Sequence, residues 1–350
     1  MSPLEEFLEE EIAAGSFPGG SALVGSREAV LAQTRSGRAA VLPHASALEP
    51  GTLFDLASLT KPLVAGALAF EACREGLDLT WPPGRFLPEW KKTRFDGITI
   101  EMLLTHTSGL AAWFPLYARG EGAPAYRRTL GELEPESPPG STVRYSDLGF
   151  LVLAEVLEAF FAARIDRAFA EVVAFPEASA ARFLPEDPGA CAATEEGDET
   201  ERAMTAALGL AYAHFRTEVV RGEVHDGNAF RRGGVSAHAG LFATAEDVWK
   251  LARSWLDPAR GDFTRDRTPA LSEARGLGWQ GSRGAGSVSG KALSERAFGH
   301  TGFTGTSVWL DPERDRIFVL LTNRIHPRAA KADFNEVRRR FHDLARNFDS

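Results

Sequence analysis

Ser58 and Lys61 stand three residues apart in "FDLASLTKPLVAG" (Phe54–Gly66), a spacing that could do chemistry. All but six of the 39 basic side chains are arginine, so a lysine at the mouth of an apolar helix invites a chemical explanation. If the helix begins near Ser58, the two side chains share a face about one turn apart and the ammonium reaches the hydroxyl. Desolvation is then expected to push the lysine pKa down, leaving a neutral amine that can accept the serine proton. The positive end of the helix dipole would favour the alkoxide as it forms. The plain structural alternative is a serine N-cap beside a surface lysine, with Pro62 tolerated in the first turn. Ser-x-x-Lys alone does not decide between the two.

Two more groups follow along the chain. "VRYSDLGFLVLAEVLE" places Tyr145 two residues ahead of Asp147, just before an apolar helix and after the loop "PPG". "FGHTGFTGTSVWLDP" carries His300-Thr301-Gly302 on a strand whose small residues let another segment lie close. Serine β-lactamases and penicillin-binding proteins carry an SxxK, SDN and KTG set, and three such elements occur here in that order.

The chain therefore resembles that superfamily, and most closely the class C β-lactamase branch with its D-alanyl-D-alanine carboxypeptidases, D-aminopeptidases and family VIII carboxylesterases. In that branch the second motif is typically YxN and the third KTG or HTG. The stretches "LLTHTSGL" (Leu103–Leu110), "FLPEW" (Phe86–Trp90), "GHTGFTGTSVWLDPERD" and "VLLTNRIHP" (Val319–Pro327) resemble the family as well, so the resemblance spans nearly the whole chain.

The resemblance implies a role for each matching residue. Ser58 resembles the nucleophile and Lys61 the amine that activates it. Tyr145 resembles the phenol that shares the base task and then protonates the leaving group, its pKa lowered by Lys61. Which of the two takes the first proton stays open. The backbone N–H groups of Ser58 and Phe303 correspond to the oxyanion hole. Asp147, His300, Thr301 and Gly302 correspond to substrate-binding positions. The implied reaction is acyl transfer through a serine ester followed by attack of water, with no cofactor and no metal.

Two departures bear on substrate. Asp147 stands where the family most often has asparagine, so a group that could donate to a substrate carbonyl becomes one that only accepts, and holding Lys61 is its expected task. His300 stands where β-lactamases have lysine, replacing a fixed cation by a ring mostly neutral near pH 7. Both tilt the expectation from β-lactamase towards a carboxylesterase or D-amino-acid peptidase. A β-lactamase or an acyltransferase would use the same acyl-enzyme, and a non-catalytic binding member could keep the same scaffold. Chemically competent residues at all three motifs favour the enzyme.

The elements that must position these residues are legible as patterns. A helix over Leu4 to Ala14 is followed by two β-type runs, "GSALVG" and "EAVLAQTRSG", joined by a turn at Ser26 to Glu28. "AFGHTGF", "GTSVWL" and "RIFVLLTN" are three further strands, and a helix over Ala330 to Phe348 ends the chain. The middle is mostly helical, including "SDLGFLVLAEVLEAFFAARIDRAFAEVVA" and "ERAMTAALGLAYAHF", with Pro- and Gly-rich breaks. The expected fold is α+β and β-lactamase-like. A five-stranded antiparallel sheet with N- and C-terminal helices (residues 1–62 and 216–350) carries an inserted helical lobe (63–215), with the active-site cleft between them.

Other residues have quieter readings. His106 in "LLTHTSGL" is expected to be a structural histidine at a helix end. The segment from His225 to Leu251 holds His225, Asp226, Asn228 and His238 at no standard zinc spacing, and reads as a loop at the cleft edge. His225 and Asn228 are its candidate substrate contacts, and Thr244 its helix cap. "GSRGAGSVSG" (Gly281–Gly290) is expected to be a flexible loop able to act as a lid. Cys73 and Cys191 lie far apart outside any CxxC pattern and read as reduced thiols. A net charge of −9 without acidic blocks argues against nucleic acid and anionic membranes. An acidic start where a signal peptide would be basic, and the lack of any run of about 18 apolar residues, predict a cytoplasmic protein. Its expected partner is a small-molecule ester, amide or lactam; the sequence is silent on oligomeric state.

Overall fold

The computed structural model describes residues 2–91, 93–173, 177–329, 332–344 and 348. One antiparallel sheet is built from both ends of the chain: β1 (Gly19–Gly25), β2 (Val30–Ala40), β3 (Ser46–Ala47), β4 (Gln280–Gly281), β5 (Phe298–Thr301), β6 (Ser307–Asp311) and β7 (Arg316–Thr322). Their spatial order is β3-β2-β1-β7-β6-β5-β4. The expected five strands are β1, β2, β5, β6 and β7; the sheet has seven. The two additional edge strands are two residues long, too short for apolar alternation to register.

The termini meet at the β1–β7 pair, where Gly20 faces Thr322 and Gly25 faces Ile317. Successive side chains leave opposite faces of a strand, so these two strands feed two cores. Ala22, Val24, Phe318 and Leu320 pack with Leu4, Phe7, Leu8, Phe334, Val337 and Phe341 of the terminal helices. Leu23, Val319 and Leu321 pack into the larger core, with Val248, Leu251 and the helices of the middle segment. The N-terminal helix, Pro3–Ala13, starts with a reciprocal Ser2–Glu5 capping box. The C-terminal helix is observed over Phe334–Asp343, shorter than expected; residues 330–331 and 345–347 of the expectation lie outside the described residues.

In the middle, Asp147–Phe161 is a helix whose residues Leu148 to Leu157 are all buried, as an all-round apolar sequence requires. Ser146 caps it by accepting from the Gly149 N–H at 3.0 Å. The long helical run expected after it breaks at Ala162, which adopts a left-handed conformation, and resumes as a short helix at Ile165–Ala168. The helix Glu199–Ala207 likewise ends well short of Phe215. Thr244 caps Ala245–Arg253, accepting from the Asp247 N–H. Among the described residues no helix is long and apolar enough to cross a membrane.

The expected lid loop is anchored near its C-terminal end. Val288 is buried in the core of the terminal helices, and its carbonyl accepts from His342 Nδ1 at 2.5 Å.

Candidate active site

Ser58 lies in a tight 3₁₀ turn, Ala57–Leu59, followed by a wide π-type turn at Lys61–Gly66, and only then by the α-helix Ala67–Arg74. The helix expected to start at Ser58 thus starts later, at Ala67. Ser58 caps nothing. Its Oγ instead accepts from Lys61 Nζ at 2.8 Å and from Tyr145 Oη at 2.7 Å. Ala57, just before it, holds φ at +47°, a left-handed conformation costly for a residue with a Cβ.

Lys61 is fully buried. Its Nζ forms an ion pair with Asp147 Oδ1 at 2.6 Å and donates to the His238 carbonyl at 3.2 Å. Burial alone would push the ammonium pKa down, but the Asp147 carboxylate and Tyr145 more than reverse it, and the net direction is upward. The expected neutral amine is therefore not the resting form. Tyr145 also departs from expectation. Desolvation raises its phenol pKa, with Asp147 adding to the rise, and the opposing pull of Lys61 and the bond to Ser58 do not overcome it. At rest the site holds a lysine ammonium and a neutral phenol around the serine hydroxyl.

Tyr145 is placed by its neighbours. His106, at φ +58° beyond the helix Ile100–Leu104, accepts the Ser146 N–H on Nδ1 at 3.0 Å and the Arg144 N–H on its carbonyl at 2.8 Å. Its ring lies 4.5 Å from the Tyr145 ring between centroids. The histidine at this helix end thus grips the chain on both sides of the tyrosine.

Strand β5 brings the third group. Ser58, Tyr145, Asp147, His225, His300, Thr301, Gly302 and Phe303 all line one cavity of about 430 Å³. His300 donates from Nδ1 to the Thr301 carbonyl at 2.8 Å, and its pKa lies well below the ordinary histidine value because of burial and the Lys61 and Arg275 charges. Gly302 must be glycine: a Cβ there would meet Thr306 Oγ1 at 2.0 Å and the Leu56 carbonyl at 2.5 Å. Among the described residues, the backbone N–H groups of Ser58 and Phe303 donate to no protein acceptor.

The two loop candidates separate. His225 pairs with Glu195 at 2.9 Å and stacks on the Phe303 ring with 5.6 Å between centroids. Asn228 does not reach the cavity. It sits fully buried on the helix Gly227–Arg231, accepting from the Leu116 N–H and donating to the Phe114 carbonyl, both at 2.9 Å. Asp226 and His238 hold each other at 2.8 Å. Cys73 and Cys191 are free thiols, both pushed up to about 11, chiefly by burial.

Several lining residues carry no local sequence signal, Trp113, Glu201, Arg275 and Arg338, and Arg324 lies in the stretch "VLLTNRIHP" with nothing there that marks it as a site residue. Arg275 pairs with Glu273 at 2.6 Å. Arg324 and Arg338 have no carboxylate partner among the described residues; burial lowers both, Arg338 to about 9 with help from the neighbouring Arg324 charge. Arg338 donates from Nη2 to the carbonyls of Gly302 at 2.6 Å and Thr306 at 3.1 Å. Arg324 donates to the Phe303 carbonyl at 2.9 Å. Two unpaired cations thus stand behind the turn that follows His300.

The chain is similar to known proteins over nearly its whole length. The family model described as Beta-lactamase matches residues 4–340. The chain is 28% identical over 367 residues to an N-acetylmuramyl-L-alanine amidase of Bacillus subtilis (strain 168), covering 93% of this chain and 81% of that protein. It is equally 28% identical over 374 residues to a Salmonella agona (strain SL483) protein provisionally named a D-alanyl-D-alanine carboxypeptidase, covering 95% and 84%. A solved class C beta-lactamase superposes with a TM-score of 0.73 at 16% identity, covering 99% of this chain and 96% of that one, a likeness of fold.

Proposed function

The chain belongs to the beta-lactamase family, and from that membership we propose that it is a serine hydrolase working through an acyl-enzyme on Ser58. The observation that carries this reading is the position of Ser58 Oγ, within hydrogen-bond distance of both Lys61 Nζ and Tyr145 Oη on the wall of an open cavity. Ser58 Oγ attacks the substrate carbonyl carbon while its proton passes to the Lys61–Tyr145 pair. The pair then protonates the leaving group, and water attacks the ester. The free N–H groups of Ser58 and Phe303 receive the developing oxyanion, one such donor being worth about 2.7–4 kcal/mol. Because both members of the pair hold their protons at rest, acylation needs a minority form that has lost one. Its rate rises with pH until the raised pKa is passed.

Within this class, the substrate reading is a peptide ending in a D-amino acid. What supports it is Arg324, a cavity-lining cation with no carboxylate partner among the described residues, which suits a free carboxylate, with the buried Arg338 charge behind it. A second reading, a carboxylesterase, rests on the apolar lip of Trp113, Met204 and Phe303, the last 44% exposed.

Intact-protein mass after incubation with a fluorophosphonate tests the class: one adduct on the wild type and none on Ser58→Ala is expected. No adduct on folded wild type would sink the hydrolase reading. Specificity constants for a D-peptide with free and with amidated terminus, a neutral ester and a β-lactam then rank the substrates.

A further inference from the structure

The strained turn before Ser58 is held almost atom by atom. The Ala57 N–H donates to Asp55 Oδ1 at 2.8 Å, and Asp55 Oδ2 takes the His225 N–H at 2.7 Å. The Leu56 N–H donates to the Leu241 carbonyl at 3.0 Å. The carbonyls of Asp55 and Leu56 accept the hydroxyls of Thr304 at 2.7 Å and Thr306 at 2.9 Å. The next N–H along the chain, that of Ser58, has no protein acceptor among the described residues.

Those two threonines follow closely on the other free N–H, that of Phe303. Phe303 lies between Gly302, whose N–H donates to the Thr306 carbonyl at 2.8 Å, and Thr304. Both hydroxyls are buried, Thr304 at 1% exposure and Thr306 at none. The segment Asp55–Ser58 and the segment Gly302–Thr306 are therefore joined by two short side-chain bonds, each running from the chain that carries one free N–H to the chain that carries the other. The close approach of Gly302 to the Leu56 carbonyl shows how little slack remains.

Resting on the hydrolase reading, we infer that Thr304 and Thr306 are positioning residues that set the separation and aim of the two oxyanion donors, with Asp55 holding the left-handed turn at Ala57 against them. Neither hydroxyl touches substrate. A carbonyl in the ground state needs little from the hole, whereas the tetrahedral oxyanion needs both donors at hydrogen-bond distance. Loss of either bond therefore reduces turnover more than binding.

The threonine permits a clean pair of changes: valine keeps the shape and removes the hydroxyl, while serine keeps the hydroxyl. Adducts counted at the end of fluorophosphonate labelling give the number of competent sites, and turnover of a neutral chromogenic ester is expressed per site. Thr304→Val and Thr306→Val are expected to lower kcat about tenfold or more with KM within about twofold, and to weaken a boronic acid inhibitor in proportion to kcat/KM. Thr304→Ser and Thr306→Ser are expected within about threefold of the wild type.

If the hydroxyls serve only to satisfy buried carbonyls, the valine variants melt earlier yet turn over at the wild-type rate per site, and the inference is overturned. It is equally overturned if serine fails where valine fails. Should Thr306→Val not fold, Thr304→Val carries the same test through the Asp55 carbonyl, one residue before Leu56 on the opposite segment. A wild type that takes no adduct is a different failure: it removes the hydrolase reading, and the inference with it.

Discussion

Residues 195–238 and residues 300–338 wall the same cavity with opposite electrostatic habits. In the first region each carboxylate near the cavity has a partner: Glu195 pairs with His225, Asp226 with His238, and Glu201 takes the Tyr117 hydroxyl and the Gly227 N–H, both at 2.6 Å. In the second, Arg324 and Arg338 face the cavity with carbonyls and aromatic rings as their neighbours and no carboxylate among the described residues. Buried charges are normally matched. The mismatch therefore lies on the side where a substrate anion would complete it, while the acidic side is closed upon itself. Between them stands the Lys61–Asp147 pair, and the comparison can be broken at each of the three places.

The largest effect is expected at the centre. Asp147→Asn leaves the fully buried Lys61 ammonium without its counter-charge, a change that costs about 3–5 kcal/mol when one partner of a buried pair is removed. The wild-type lysine has a folded-state pKa raised above its unfolded value. Its stabilisation is thus fully present below about pH 10 and is lost only as pH rises through the folded pKa. With Asp147 neutralised, burial prevails and the lysine pKa falls. Urea midpoints should then show the greatest deficit at low pH and a smaller one at pH 9, and the acylation limb of the pH–rate profile should move to lower pH. A limb that stays in place would remove Lys61 from the base task.

The next effect sharpens the contrast between the walls. Arg324→Ala is expected to raise KM about tenfold for a D-peptide with a free carboxylate, since a hydrogen bond to a charged group is worth about 1.5–3 kcal/mol. The amidated peptide and a neutral ester should change by less than about twofold on the same scale. Equal losses on all three substrates would mean that the arginine acts through the Phe303 carbonyl it holds, and that the unpaired charge has no bearing on substrate choice.

How much of this could be read from the chain depends on how local each signal is. Ser58 and Lys61 are one turn apart, Tyr145 and Asp147 two residues apart, and His300 to Gly302 are contiguous, so each group declares itself within a few residues. Strands β1 and β7 are legible because alternate residues feed two cores. The protonation of Lys61 is not local: burial points one way and Asp147, reached only through the fold, points the other. Asn228 misled because it is three residues from His225, yet a helical turn carries its amide to the Phe114 and Leu116 backbone. Arg338 belongs to no motif, and Arg324, though inside the stretch "VLLTNRIHP", carries no sign there that it reaches the cavity, since a strand end and a helix meet only after the sheet has formed.

The smallest effect belongs to the acidic wall. Glu201 is pushed up to about 7 by burial and by the Asp226 charge, against the Tyr117 and Gly227 hydrogen bonds that favour its anion. A carboxyl whose pKa is higher in the folded than in the unfolded chain binds a proton on folding between those values. Stability should therefore fall as pH rises from about 4.3 to 7, by about 1.4 kcal/mol for each pH unit between the two values, and level off above. In Glu201→Gln the amide oxygen can still accept from Gly227 and the amide nitrogen can donate to the Tyr117 hydroxyl, so the contacts survive without the titration. The variant should match or trail the wild type at pH 5 and exceed it at pH 8 in urea midpoint. Parallel pH profiles for the two proteins would show that Glu201 is as fully ionised as the paired carboxylates beside it. The acidic wall would then hold a surplus charge of its own, and the asymmetry between the two walls would be gone.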